Sequence, residues 1–160
     1  MLVQTTRFGE LDVSESSLVE FPDGLIGLPG TGYLLIATDE KSPFLWLQSV
    51  EQSELALPVT IPWLFFSDYA VRVSDEDENA LGVEGAEEID VLCVVRATST
   101  LEEFTINLAG PILIHRVSRR GRQIVNDEGG YAVRQPLFSE VQLSDVKPAV
   151  EGVSLPATAV

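Results

Sequence analysis

Histidine and cysteine are almost missing from this chain, which has one of each, His115 and Cys93. A zinc site built from Cys and His alone is excluded by that count, because such sites need three or four ligands. An internal disulfide is excluded too, in keeping with a reducing compartment. His115 stands between Ile114 and Arg116 in a strand-like stretch, and a single unsupported ring reads as a hydrogen-bonded structural residue rather than a catalytic one. Cys93 sits in the apolar run 91–95 and reads as a small buried hydrophobe. Long apolar runs are also lacking, none approaching the roughly 18 residues that cross a bilayer. The first residues show no secretory pattern. A soluble, cytoplasmic protein with no membrane partner is expected. With no glycine-rich phosphate loop, nucleophile elbow or ligand cluster, the sequence predicts no enzyme, cofactor or metal.

Positive charge is scarce as well. Ten Lys and Arg face 25 Asp and Glu, a formal net charge of −15. Nucleic-acid backbones need a basic face to displace counterions, so direct nucleic-acid binding is not expected. A basic partner, or repulsion of nucleic acid, suits this balance better. The acids concentrate in 74–90, with Asp75, Glu76, Asp77, Glu78, Glu84, Glu87, Glu88 and Asp90 and no base. Half of the bases fall in 114–135, as Arg116, Arg119, Arg120, Arg122 and Arg134.

With 160 residues, 45% of them hydrophobic, the chain can bury about 70% of its unfolded surface in one core. Short segments rich in Val, Ile, Leu, Phe and Thr, broken by Gly, Pro, Asp and Ser, predict a mostly β, small single-domain, β-barrel-like or sandwich fold with one or two short helices. Strands are expected near 2–13, 17–22, 32–38, 44–50, 55–60, 69–74, 90–98, 104–117, 122–126 and 131–134. Alternation is clear in Tyr69, Val71, Val73 and in Phe104, Ile106, Leu108. Ser74 ahead of Asp75, Glu76 and Asp77 predicts a helix N-cap with acids in the first turn, closed at Leu81-Gly82. A further turn is expected within 84–90. Ser118 to Gly121 reads as a hairpin turn in which Gly supplies positive φ. The β domain is placed at 1–138 and a variable tail at 139–160.

Two motif matches fail on inspection. Asp75, Asp77 and Asn79 match the first three ligands of a calcium loop, but Ala80 and Ala86 stand where Gly and Glu are needed. Arg116 and Arg120 match the RxxxR half of the PilZ cyclic-dinucleotide motif, while Asn126 to Gly130 lacks the required Ser. An anion sensor built on Arg116, Arg119, Arg120 and Arg122 is the alternative reading, and a carboxylate-pair hydrolase a third.

The stretch 55–66 is different in kind. Pro58 and Pro62 remove backbone donors and confine it to an edge, bulge or turn, yet Trp63, Leu64, Phe65 and Phe66 are too apolar to sit together in water. Either all four plug the core at a bend, or one or two anchor a partner.

Six blocks then stand out in order: Thr6-Arg7-Phe8-Gly9-Glu10, Phe21-Pro22-Asp23-Gly24-Leu25-Ile26-Gly27, Phe44-Leu45-Trp46-Leu47-Gln48-Ser49-Val50, Pro62-Trp63-Leu64-Phe65-Phe66-Ser67-Asp68-Tyr69, Asn107-Leu108-Ala109-Gly110-Pro111-Ile112 and Tyr131-Ala132-Val133-Arg134-Gln135-Pro136-Leu137. Together they resemble the flagellar assembly factor FliW family. Gly110, where family members carry Ala, and Gln135, where His is common, depart mildly from it. The resemblance implies a β-barrel-like protein that holds cytoplasmic flagellin and, once flagellin is exported, antagonises the translational repressor CsrA. On this reading Trp63, Phe65, Phe66, Asp68 and Tyr69 lie near the adhesive surface. Asp75, Glu76, Asp77 and Glu78 supply steering toward a basic partner and repulsion of RNA.

Overall fold

The computed structural model describes residues 1–83, 88–126, 128–138 and 158–159, the last two by their backbone alone. The first expected strand, 2–13, is instead a hairpin of β1 (Leu2–Thr5) and β2 (Gly9–Asp12). Its turn is local chemistry: Gly9 takes φ +73°, while Thr5 Oγ1 donates to the Gly9 carbonyl at 2.7 Å and accepts from the Phe8 amide at 2.8 Å.

The remaining strands build one antiparallel sheet. They are β3 (Leu18–Glu20), β4 (Gly32–Ala37), β5 (Phe44–Ser49), β6 (Ala56–Thr60), β7 (Ile89–Arg96), β8 (Thr105–Ile106), β9 (Ile112–His115), β10 (Gly121–Gln123), β11 (Gln135–Pro136) and β12 (Thr158–Ala159). The order runs β10-β9-β7-β6-β5-β4, with β3 and β12 both pairing with β4, β8 pairing with β7, and β11 with β8. The sheet curls until its ends touch. Glu20 and Arg120 form one parallel bridge, and the Glu20 amide donates to the Arg119 carbonyl at 3.0 Å. This closure makes the mostly β fold barrel-like.

Alternation along the strands sorts the core onto two faces. Tyr33, Leu47, Leu92, Ile112 and Ile114 point inward with Val19, Phe21 and Val59. Their sequence neighbours point outward into three separate clusters. Leu34, Ile36 and Trp46 lie under the β1–β2 hairpin with Val3 and Phe8, and the Arg7 guanidinium sits 4.1 Å over the Trp46 ring. Cys93, Val95 and Ile106 meet Phe44, Tyr69, Phe104, Leu137 and Phe138. Leu113 meets Leu81, Val83 and Ile124 under α1 (Asp75–Leu81), the one α-helix among the described residues.

Pro58 fits because β6 meets β7 only at Val59 and Thr60, so the stretch carrying the proline pairs with β5 alone. Three further expectations are corrected. Residues 69–74 are extended and keep their alternation, Tyr69 buried and Val71 and Val73 half-buried, but join no ladder. The strand expected over 104–117 is broken at 107–111, where Asn107 Oδ1 accepts from the amides of Ala109 (3.1 Å) and Gly110 (3.0 Å) and Pro111 has no amide to give. β8 and β9 nevertheless lie along the same edge of β7. In the last block, pairing begins at Gln135 rather than within 131–134.

Helix α1 matches its expected bounds, since Ser74 Oγ accepts from the Asp77 amide and Asp77 Oδ2 from the Ser74 amide, both at 3.1 Å. Gly82 ends it at φ +73°. Most of the second expected turn, residues 84–87, lies outside the described residues, as does the tail at 139–157 and 160. At the β9–β10 hairpin the positive φ belongs to Arg119 (+59°), not Gly121. Gly121 is required for space, because a Cβ there would overlap the Phe21 ring.

Candidate partner-binding surface

Pro62 opens a 3-10 turn, Pro62–Leu64, where its fixed φ suits the first position and its missing amide costs nothing. The amides of Phe65 and Phe66 then return to the Pro62 carbonyl at 3.1 and 2.9 Å, which drives consecutive apolar side chains in different directions. Phe65 turns inward, 5.6 Å from Phe138 and 6.0 Å from Phe44 between ring centres. Phe66 is half-buried against the same cluster. Trp63 stays 41% exposed and Leu64 60%, with Ile61 exposed beside them.

Tyr69 ties the segment down. Its ring lies 4.6 Å from that of Tyr131 and 5.8 Å from that of Trp63, whose Nε1 donates to the Tyr69 carbonyl at 2.7 Å. Its hydroxyl donates to the Leu108 carbonyl at 2.7 Å and accepts from Asn126 Nδ2 at 3.2 Å. Only 4% of Tyr69 is exposed, and burial pushes its phenol well above the ordinary tyrosine range. The nearby Cys93 thiol is likewise pushed up to about 12 by burial, which leaves it inert as a nucleophile near neutral pH.

Of the other candidate residues, Asp68 is exposed at the end of the turn. Residues 69–74 then carry the chain to α1, whose first turn holds Asp75, Glu76, Asp77 and Glu78. Asp77 is occupied twice, by the cap and by Arg122 Nη1 at 3.4 Å. Glu76 is exposed and pairs with Arg122 Nη2 at 3.2 Å. Asp75 points to solvent and Glu78 is half-buried. The candidate residues therefore divide: Trp63, Asp68, Asp75 and Glu76 are accessible, Tyr69 is interior, and Phe65, Phe66, Asp77 and Glu78 are half-buried. Leu64, one of the four apolar residues noted in the sequence, and Ile61, which was not singled out, complete the apolar patch with Trp63; the only signal for Ile61 was its position beside a proline-led turn.

The arginine hairpin does not form a converging anion site. Arg122 pairs with two carboxylates, Arg116 Nε lies 3.5 Å from Asp90, and Arg119 Nη2 donates to the Ser17 carbonyl at 3.0 Å. The cavity lined by Arg116, Arg119 and Arg120 is also lined by Glu15 and Glu20. His115 is buried, with Nε2 2.8 Å from Glu88 and Nδ1 2.7 Å from Ser118 Oγ. Ser118 Oγ also donates to the Leu81 carbonyl at 3.0 Å, so Ser118, held by the His115 ring, fastens the hairpin to the end of α1. Among the described residues no group of three or more His, Cys, Asp or Glu could hold a metal, and no helix is long and apolar enough to cross a membrane.

A family model described as "FliW protein" matches residues 2–137. The chain belongs to the FliW family. The flagellar assembly factor FliW of Geobacter sulfurreducens is 37% identical over 144 residues, covering 90% of this chain and 91% of that protein. FliW of Alkaliphilus metalliredigens is 33% identical over 159 residues, covering 95% and 98%. A crystal structure of the flagellar assembly factor FliW superposes with a TM-score of 0.80 at 25% identity, covering 88% of this chain and 99% of that one. The blocks that carried the FliW resemblance are largely those that make unusual backbone. Three of them converge on one ring: Tyr69 from the fourth block, the Leu108 carbonyl from the fifth and Tyr131 from the sixth.

Proposed function

We propose that this FliW-family protein acts in flagellar assembly by holding flagellin in the cytoplasm and, once flagellin has left, by binding and antagonising CsrA. The observation that carries this reading is the match to full-length relatives named flagellar assembly factors over nearly the whole chain. The segment 61–78 supplies a physical means. An exposed Trp63 beside Leu64 offers the kind of aromatic anchor that dominates binding energies. The acidic first turn of α1, on a chain of net charge −15, attracts a basic partner and repels RNA.

Size-exclusion chromatography of the purified protein with its host's flagellin and CsrA, separately and together, tests the reading. A complex with each, and displacement of CsrA by flagellin, is the expected result; no complex with either overturns it. Within the CsrA complex, Asp75→Lys with Glu78→Lys slows association about tenfold at low salt if steering operates. Trp63→Ala weakens binding to at least one partner by about 2 kcal/mol or more if the tryptophan is an anchor.

A further inference from the structure

A second site lies on the opposite face of β8 from the aromatic cluster. Ile106 and Val95 point into that cluster, so Thr105, Asn107, Val94 and Arg96 point the other way, where they line a cavity of about 280 Å³. Its floor is the open end of the inner core: Leu25, Leu28, Leu57, Val94 and Ile112. Exposed Ile26 and Val133 stand at the rim.

The charges around this cavity are of one sign among the described residues. Arg96 and Arg134 line it and no carboxylate does, although the chain has 25 acids. Two other cavities mix signs, with Asp77 and Glu128 beside Arg72 and Arg122 in one, and Glu15 and Glu20 beside the hairpin arginines in the other. Among the described residues neither Arg96 nor Arg134 is in an ion pair, whereas Arg116 and Arg122 are. Strand register explains how the two meet. Arg96 pairs with Thr105 on one side of β8, and Gln135, next to Arg134, pairs with Ile106 on the other.

The rim is also held in shape. Gln123 donates to the Gly110 carbonyl at 2.9 Å and accepts from the Ile26 amide at 2.8 Å, bridging the 24–28 loop to the β8–β9 break. A fixed, apolar cavity with a few polar groups at its edge is the usual form of a small-ligand site, and this one lies just below the roughly 300–1,000 Å³ range of such sites. At about 30 Å³ per atom, the share of a water molecule in the liquid, it holds about nine non-hydrogen atoms.

We propose that this cavity binds a small linear aliphatic carboxylate, its chain against Leu57, Val94 and Ile112 and its carboxylate at Arg96 and Arg134. Guanidinium groups bind carboxylates by paired charge-assisted hydrogen bonds, and no carboxylate among the described residues lines this cavity to repel an incoming anion. The site does not depend on flagellin or CsrA binding, and either can fail alone.

Octanoate titrated into the full-length protein and followed by amide NMR is the test. The expected result is saturable one-to-one binding with a dissociation constant at or below about 1 mM. Shifts should centre on Val94, Arg96, Thr105 and Val133, and affinity should fall as salt is added. Octanol, with the same chain and no charge, should bind at least roughly tenfold more weakly, as should octanoate to the Arg96→Gln/Arg134→Gln variant. Both arginines are exposed, so the variant should keep the parent's melting temperature. Absence of saturable binding, shifts centred elsewhere, or equal affinity for octanol or in the variant would overturn the proposal. So would a leucine-ended peptide that saturates the cavity when octanoate does not, since the site would then be one for a polypeptide C-terminus.

Discussion

Residues 61–69 and 74–81 are two ends of one segment, joined by an extended stretch that belongs to no sheet, and they are held by opposite means. The aromatic end relies on distant partners: Tyr69 reaches Leu108, Asn126 and Tyr131, and Phe65 reaches Phe44 and Phe138. The acidic end relies on its neighbours, through a capping box four residues long, with Arg122 and Leu81 as its ties to the rest. Apolar character therefore does not predict which side chains are available at the first end, since Trp63 is and Tyr69 is not. Acidic character does not predict it at the second, where Asp75 is free to act outward and Asp77 is spent within.

The comparison can be broken most forcefully at Tyr69. Tyr69→Ala removes the ring on which three parts of the chain meet and should cost about 3–5 kcal/mol of unfolding free energy in urea; a cost under about 1 kcal/mol would mean the distant contacts do not hold this end. Alkaline pH provides a second probe. The Tyr69 phenol and the Cys93 thiol have folded pKa values above their ordinary 10.0 and 9.0, so between these values and the folded ones the unfolded chain binds fewer protons. Stability is then level below about pH 9 and falls above it, by up to about 1.4 kcal/mol per pH unit for each group. Tyr33, also raised by burial, contributes to the slope as well, so Tyr69→Phe should remove only the Tyr69 part of it, measured by denaturant titrations from pH 8 upward, and a slope that does not change would separate Tyr69 from the effect. At the acidic end the effects should be smaller. Ser74→Ala loses one cap and should cost about 1 kcal/mol. Asp75→Asn, at a side chain facing solvent, should change stability by no more than about 0.5 kcal/mol.

Local features of this kind were legible in the sequence, and features that depend on remote partners were not. Ser74 and Gly82 bound α1 because a cap is written within four residues of the helix it ends. Alternation at Tyr69, Val71 and Val73 correctly marked an extended chain with one buried face, but whether a neighbouring strand is present is not encoded in period two, and here none pairs. Asn107 and Pro111 could have signalled the break between β8 and β9, since both work against a continuous ladder. Gly121 was recognised as necessary for the wrong reason, because the Phe21 ring that forbids a side chain there lies one hundred positions away in sequence. The outward Trp63 and inward Phe65 were indistinguishable by composition, and a 3-10 turn with Phe44 and Phe138 in reach decided between them. The arginine run 116–122 was visible as charge, but its carboxylates, Asp90, Glu76 and Asp77, belong to the acidic stretch that looked like a separate feature.

The bridge between Glu20 and Arg120 also fixes an order of events during synthesis. Its companions span similar separations, 102 positions from Ser17 to Arg119 and 97 from Ile26 to Gln123. At about 5–20 residues per second, the ribosome adds that length in roughly 5 to 20 s. For that interval β3 can pair with β4 but its other edge has no partner, and the charged Glu20 on so short a strand is what discourages a neighbouring chain from taking the place that Arg120 will fill.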